Sequence, residues 1–203
     1  RKPSIIATQM LESMTENPRP TRAEASDVAN AILDGTDAVM LSGETAIGKY
    51  PVRTVEMMAR IVTTTEASMG ADQAVVSMGH LGGPISFPDA IGQAAAAVSE
   101  DVNARAIVAF TQSGSTARLI SKRRPQTPII AFTPDEIIWR QLSLCWGTDP
   151  RLVDRTDDTD RMVAEVEARL LVEGSVEVGD TLVILAGAPI TARAETNLLK
   201  LHR

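Results

Sequence analysis

Two short polar groups stand where an apolar run gives way to a turn. In Ile5-Ile6-Ala7-Thr8-Gln9-Met10-Leu11-Glu12-Ser13-Met14 the run ends on Thr8-Gln9, and Ala38-Val39-Met40-Leu41 ends on Ser42-Gly43-Glu44-Thr45. A threonine hydroxyl can donate to a carboxylate or phosphate and relay a proton through water, and a serine beside a carboxylate can do the same. In parallel α/β sheets and barrels, groups at the C-terminal strand ends open toward a common mouth. The same residue types are ordinary helix caps and turns, so pattern alone leaves both readings of Thr8, Ser42 and Thr45 open. A third polar stretch, Thr111-Gln112-Ser113-Gly114-Ser115-Thr116, joins an apolar run to an amphipathic one. Its hydroxyls and backbone N–H groups suit a phosphate, which the following helix dipole would favour. It lacks the G-x-G-x-x-G spacing of a dinucleotide site and the lysine of a P-loop, and small polar residues also make good turns.

Other polar residues read more plainly. Asn17-Pro18-Arg19-Pro20-Thr21-Arg22-Ala23-Glu24 is a stiff basic loop running into a helix. It suits an anion, an adjoining subunit, or a solvated helix start with Glu24 favourable in the first turn. Lys122-Arg123-Arg124 complements the end of a helix dipole. His80 and His202 stand apart, and no Cys/His grouping has metal spacing. Cys145 is expected on the apolar face of a helix, Trp139 and Trp146 in packing, and Asp157, Asp158, Asp160 and Arg161 at a solvated helix start.

The elements that must position these groups form two series. In residues 1–68, buried strands are expected at Ser4–Thr8 and Ala38–Leu41, with helices at Thr21–Leu33 and from Pro51 to about Met69. The second helix would bury Val55, Met58, Ala59 and Val62. Two strand-turn-helix units in series imply parallel strands and right-handed crossovers. Residues 69–88 lose all period among glycines and prolines and read as a linker or hinge. From residue 89 to 203, an Ala-rich helix Asp89–Val102 leads into strands at Ala104–Phe110, Pro128–Phe132, Arg151–Asp154, Thr181–Ala186 and Asn197–His202. Helices at Ala117–Arg124, after Asp135 and over Asp158–Glu173 separate them. The expected fold is an open, mixed five-stranded α/β sheet with helices on both faces and its last two strands antiparallel.

The chain has 203 residues, 44% of them apolar but only 3% aromatic, so its cores must be built from Ala, Val, Ile, Leu and Met. A net charge of −6 argues against broad binding to a phosphate backbone, although a local anion site stays open. One cysteine excludes an internal disulfide framework and suits a reducing cytoplasm. No apolar run approaches the ~18–20 residues of a membrane span, and no segment has the form of a signal peptide.

The stretch KPSIIATQMLESMTENPRPTRAEASDVANAILDGTDAVMLSGETAIGKYP closely resembles the last part of the catalytic barrel of pyruvate kinase. IVAFTQSGSTARLISKRRPQTPIIAFTP and GDTLVILAGAPITARAETNLLKLHR resemble, more loosely, that family's C-terminal regulatory domain. The resemblance implies the last two strand-helix units of a (β/α)8 barrel in residues 1–68, followed by the allosteric α/β domain in residues 89–203. It implies the transfer of a phosphoryl group from phosphoenolpyruvate to ADP in glycolysis, giving pyruvate and ATP in the cytoplasm, by a homotetramer that uses Mg2+ and K+. It also implies that the catalytic lysine, the metal ligands and the potassium-binding residues lie upstream of Arg1, so that this chain is inactive by itself.

Carried over residue by residue, Thr8 faces the substrate and organises proton delivery to the enolate carbon. Ser42 belongs to the same relay, Glu44 holds the network in place, and Arg22 makes a contact across a subunit interface. Thr111, Gln112, Ser113, Gly114, Ser115, Thr116 and Arg193 would hold a phosphorylated effector. Two departures matter here. Gln112 and Ser115 stand where sugar-bisphosphate-activated members often carry a basic residue, and Ile190-Thr191-Ala192-Arg193-Ala194-Glu195 replaces a glycine-rich loop. A simpler phosphate, sulfate, a nucleoside monophosphate or a sugar monophosphate fits as well. The competing reading is a stand-alone regulatory module that binds such an effector. A dinucleotide-binding dehydrogenase would need a glycine fingerprint that the sequence lacks.

Overall fold

Ile5–Ile6 (β1) and Ala38–Val39 (β2) lie side by side as parallel strands, Ile5 opposite Ala38 and Ile6 opposite Val39. The structure is a computed structural model that describes residues 2–69, 85–156, 158–188 and 195–203. It divides into two units, Arg1–Val76 and Ser77–Arg203, each built around its own contacts. The expected hinge falls largely on residues 70–84, which lie outside the described residues, as do His80, Asp157 and Arg193.

In the first unit, a 3-10 turn, Glu12–Thr15, follows β1, and helix α1, Arg22–Leu33, leads back to β2. Thr21 caps α1 in a full capping box with Glu24. After β2 come the short helix α2, Gly43–Ala46, and the long helix α3, Pro51–Ser68, which starts on a proline whose missing N–H would have been an orphan anyway. Met10, Leu11 and Met14 from the turn meet Val28 and Ala31 of α1 and Met58 of α3 in one core. The strands begin together because the Ser4 carbonyl accepts from the N–H groups of Asp37 and Ala38, while the Asp37 carboxylate accepts from the Ser4 N–H at 2.9 Å.

Three expectations for this unit need correction. The strands are two residues long instead of five and four, and past β1 the chain leaves extended geometry at Thr8 and Gln9. They are not buried: Ile5 is 48% and Ile6 37% exposed. The buried stripe of α3 is Thr54, Met58 and Thr65, while Val55 and Ala59 face outward. The threonines tolerate burial because their hydroxyls donate to carbonyls one turn back, Thr54 to Tyr50 at 2.9 Å and Thr65 to Ile61 at 2.8 Å.

The second unit carries strands β3 (Ala106–Phe110), β4 (Ile129–Thr133), β5 (Thr148–Leu152), β6 (Leu182–Ala186) and β7 (Leu198–His202). Their order in the sheet is β5-β4-β3-β6-β7, with only the last pair antiparallel. This is the mixed five-stranded sheet the sequence predicts. Its central strands alternate faces. Val108, Phe110, Ile130, Phe132, Leu182 and Ile184 pack on helix α7 (Thr159–Val172) through Met162, Val166 and Leu170. Ile107, Ala109, Ile129, Ala131, Val183 and Leu185 pack on the opposite face, against Ala95 of α4 (Phe87–Asp101), Ala117 and Ile120 of α5 (Ser115–Ser121), and Leu142 of α6 (Glu136–Leu142). A period of two covered on both sides makes these strands nearly continuous apolar runs.

Here too some boundaries move. β5 starts three residues earlier than expected and contains Pro150, which an edge strand tolerates. Helix α5 starts at Ser115, so Ser115 and Thr116 belong to the helix and not to the turn. Cys145 lies beyond the end of α6, buried beside Leu142. Arg124 stacks on the Trp146 ring, with its guanidinium carbon 4.9 Å from the ring centroid.

Candidate functional site

β1 and β2 run parallel with a register offset that brings Gln9, if continued, opposite Ser42, so Thr8 and Ser42 emerge at the same C-terminal end. Both side chains are exposed. Neither hydroxyl caps a helix. Ser42 occupies the N-cap position of α2 but makes no side-chain cap bond, and the Thr8 hydroxyl donates to the carbonyl of Ala7. Thr8 and Gln9 have φ of +71° and +53°, a left-handed conformation that a β-branched residue seldom adopts. Such geometry costs on the order of 1–3 kcal/mol and survives where neighbours over-determine it.

The neighbours are two carboxylates. Glu44 is only 3% exposed, and its two oxygens accept from the N–H of Leu11 at 3.2 Å and of Ser42 at 2.7 Å. One side chain therefore ties the turn after β1 to the turn after β2. Burial pushes its carboxyl up, but the N–H groups of Ser42, Glu44 itself and Leu11 outweigh this and hold it below the ordinary value, against a repulsion from Glu24. Glu24 reaches back to the same turn. It accepts from the Ser13 N–H at 2.7 Å and the Ser13 hydroxyl at 2.5 Å, and from the N–H and hydroxyl of Thr21, both at 2.8 Å. Burial again pushes up, and the bonds from Ser13 and Thr21 win, so this carboxyl is also lowered. The far end of the turn is held by the Lys49 N–H, which donates to the Thr15 carbonyl at 2.8 Å, and by an ion pair between Lys49 and Glu16. Gly48 fits between α2 and the turn only without a side chain: a Cβ there would stand 2.3 Å from the Glu44 carbonyl oxygen and 3.3 Å from the Thr15 Cα.

In the second unit, the chain leaves β3 for β4 and β5 on one side and returns to β6 on the other. The ends of β3 and β6 therefore form the switch point at which open α/β sheets bind ligands. Thr111 to Gly114 is the turn after β3. The Thr111 N–H donates to the Phe132 carbonyl at 3.0 Å, while its hydroxyl is buried with no hydrogen-bond partner among the described residues. Ser113 donates to Ser115 at 3.0 Å. Gly114 sits at φ +80° and starts α5. The buried hydroxyls of Thr116 and Thr196 meet at 2.7 Å, joining the start of α5 to the segment that precedes β7.

The structure thus brings Thr8, Ser42 and Glu44 to one strand end, with Glu44 turned onto backbone amides and not outward. Arg22 is exposed as the first residue of α1. Thr111 to Thr116 cluster after β3. A separate open groove of about 370 Å³, lined by Glu167, Leu171, Asp180, His202 and Arg203 among others, includes none of the predicted residues. Sequence reasoning missed three participants. Glu24 reads as a helix-start carboxylate, and nothing in its spacing announces the link to Ser13. Arg118 lies against the turn, donating to the Ser113 carbonyl and the Gln141 side chain at 2.9 Å each. Thr196 pairs with a residue 80 positions away, which no local signal could reveal.

Comparisons with known proteins agree on one family. Residues 1–55 match the family model described as "Pyruvate kinase, barrel domain", and residues 89–202 match "Pyruvate kinase, alpha/beta domain". The chain is 48% identical to a pyruvate kinase of Sporosarcina psychrophila over 201 residues, covering 99% of this chain and 34% of that protein. It is 46% identical over 202 residues to a pyruvate kinase of Mycobacterium tuberculosis strain H37Rv, covering 100% of this chain and 42% of that one. The chain thus spans roughly a third to two-fifths of these relatives. Among solved structures, the crystal structure of a pyruvate kinase from Cryptosporidium parvum superposes with a TM-score of 0.91 at 38% identity, over 100% of this chain and 40% of that one.

Proposed function

The chain belongs to the pyruvate kinase family, and from that premise we propose that the protein carrying it transfers the phosphoryl group of phosphoenolpyruvate to ADP, releasing pyruvate and ATP. The observation that carries this reading is the pair of exposed hydroxyls, Thr8 and Ser42, set at adjacent parallel strand ends and neither used as a helix cap. In the reaction, the bond from phosphorus to the enol oxygen breaks, a bond to the terminal oxygen of ADP forms, and the enolate carbon takes up a proton. Phosphoryl transfer rests on positioning and charge stabilisation. The later proton delivery suits hydroxyls: Thr8 orders a water at the enolate carbon and Ser42 continues the relay toward solvent. Glu44, lowered and bound by amides, stays ionised at neutral pH and acts by holding both turns.

The family resemblance implies Mg2+ and K+. Among the described residues, no three or more His, Cys, Asp or Glu side chains group where they could hold a metal ion, and Glu24 and Glu44 accept from backbone amides of the turn and of Ser42. We assign no residue here to a cation, to the catalytic lysine or to the nucleotide. Residues 1–68 then serve as the end of the barrel, 69–88 as a linker and 89–203 as the allosteric domain. Arg22 contacts a neighbouring subunit of a homotetramer in the cytoplasm. The test is pyruvate formation from phosphoenolpyruvate and ADP by the intact protein. Turnover there, with none from the 203-residue polypeptide alone, is expected, and an intact protein without turnover overturns the reading.

A second reading, an effector site in the α/β domain, is favoured by the buried hydroxyl of Thr111 at the switch point, which has no hydrogen-bond partner among the described residues. Its ligand is a phosphorylated metabolite held by Thr111 to Thr116, with Arg193 as the cation. Calorimetry on the intact enzyme with inorganic phosphate, a nucleoside monophosphate and sugar phosphates tests it. Binding that is lost in Thr111→Val supports the site, and no binding by any of them refutes it.

A further inference from the structure

We propose that Glu24 is a positioning residue for the site at the ends of β1 and β2, holding the turn behind Thr8 in the shape that presents its hydroxyl. The proposal rests on the reaction given above. Three observations meet in it. Thr8 and Gln9 are consecutive non-glycine residues with φ of +71° and +53°, a conformation that persists only where the surroundings impose it. The residues that follow are gripped at alternate amides from two sides, Leu11 by Glu44 and Ser13 by Glu24. Finally, Glu24 does more than a helix start requires. A capping box needs only its contacts with Thr21, whereas its bonds to the N–H and hydroxyl of Ser13 cross 11 residues of sequence to the turn.

The oxygens of Glu24 are unequally loaded. One accepts from the Ser13 N–H, and the other accepts from the Ser13 hydroxyl and from both donors of Thr21. Glu24→Gln keeps size and shape but turns one acceptor into a donor. Facing one way, the amide NH2 opposes the Ser13 N–H; facing the other, it opposes the Thr21 N–H, while the Ser13 and Thr21 hydroxyls turn to accept from it. Either way a charged acceptor becomes a neutral one and the carboxylate grip on the turn weakens, so the reacting groups drift while the binding surface stays.

The test compares the intact parent enzyme with Glu24→Gln, Glu24→Ala and Thr36→Val. Thr36 is buried at the opposite end of the strands, where its hydroxyl donates to the Ser4 and Ala38 carbonyls at 3.1 Å each, so Thr36→Val weakens the same unit without touching the turn. Both Glu24 variants should lose about 10- to 100-fold in kcat, the scale of a misplaced reacting group, with KM for phosphoenolpyruvate within about twofold. The Leu11 and Ser13 amides should exchange faster in both. Thr36→Val should lower Tm and leave kcat within about twofold. A folded Glu24→Gln enzyme with unchanged kcat overturns the assignment, as does a Thr36→Val enzyme that loses as much kcat as Glu24→Gln. A parent without turnover overturns the reaction reading instead. In that case amide exchange still decides the role of Glu24, since unchanged exchange at Ser13 in Glu24→Gln refutes the grip.

Discussion

Glu44→Gln isolates the link between the two strand ends. In the parent, one carboxylate oxygen accepts from the Leu11 N–H at 3.2 Å and the other from the Ser42 N–H at 2.7 Å, on a side chain that is 3% exposed. Glutamine has one acceptor, so either the buried Leu11 N–H or the part-buried Ser42 N–H must face an NH2 group and go unpaired. A hydrogen bond to a charged group contributes about 1.5–3 kcal/mol, and an orphaned buried donor costs a similar amount. The expected loss is therefore about 2–3 kcal/mol, or roughly 30- to 150-fold in the opening equilibrium at tenfold per 1.4 kcal/mol. Amide hydrogen exchange reads this directly. Protection should fall at Leu11, Ser42 and the neighbouring core around Met14 and Val28, while β3 and β6 of the other unit, with their separate core, keep theirs. Unchanged protection at both Leu11 and Ser42 would refute the role given to Glu44, and an equal fall in β3 and β6 would refute the independence of the two cores.

Acid should act on the same residues. Glu24 and Glu44 are held below the ordinary glutamate value of 4.5 in the folded chain, so their contribution is present above that pH and is lost as pH falls through the lowered folded values. Exchange protection in the first unit should decline below about pH 4.5, and Glu44→Gln should flatten that decline. Thr8→Gly should relieve the left-handed strain and raise the stability of the first unit by about 1 kcal/mol in denaturant titration, while lowering turnover of the intact enzyme. Thr116→Val or Thr196→Val strands one hydroxyl of a buried pair and should cost about 1–3 kcal/mol, whereas the double variant should recover most of it.

The second unit was legible because its strands repeat every two residues and are covered on both faces, as in Ala106–Phe110 and Leu182–Ala186. β5 was misplaced because Pro150, Asp149 and Arg151 hide an edge strand whose place depends on pairing with β4 and on the Trp139 indole, which donates to the Pro150 carbonyl at 2.9 Å. The stripe of α3 was misread because hydropathy favours Val55 over Thr54, and only the carbonyl of Tyr50 makes Thr54 fit to bury. At the candidate site, Thr8, Ser42 and Glu44 could be named from the strand ends and the resemblance. The left-handed backbone of Thr8 and Gln9 could not, since it follows from grips supplied by Glu24 and Glu44, the latter 33 residues from Leu11.

The account's central claim is that the Thr8 hydroxyl serves protonation of the enolate. Thr8→Val keeps the branched shape and removes only that oxygen. The most direct measurement is kcat for pyruvate formation by the intact enzyme carrying Thr8→Val, beside the parent at saturating phosphoenolpyruvate and ADP. The account predicts a loss of about a hundredfold, in the range of a missing proton-transfer group. A variant that turns over at the parent's rate would contradict it.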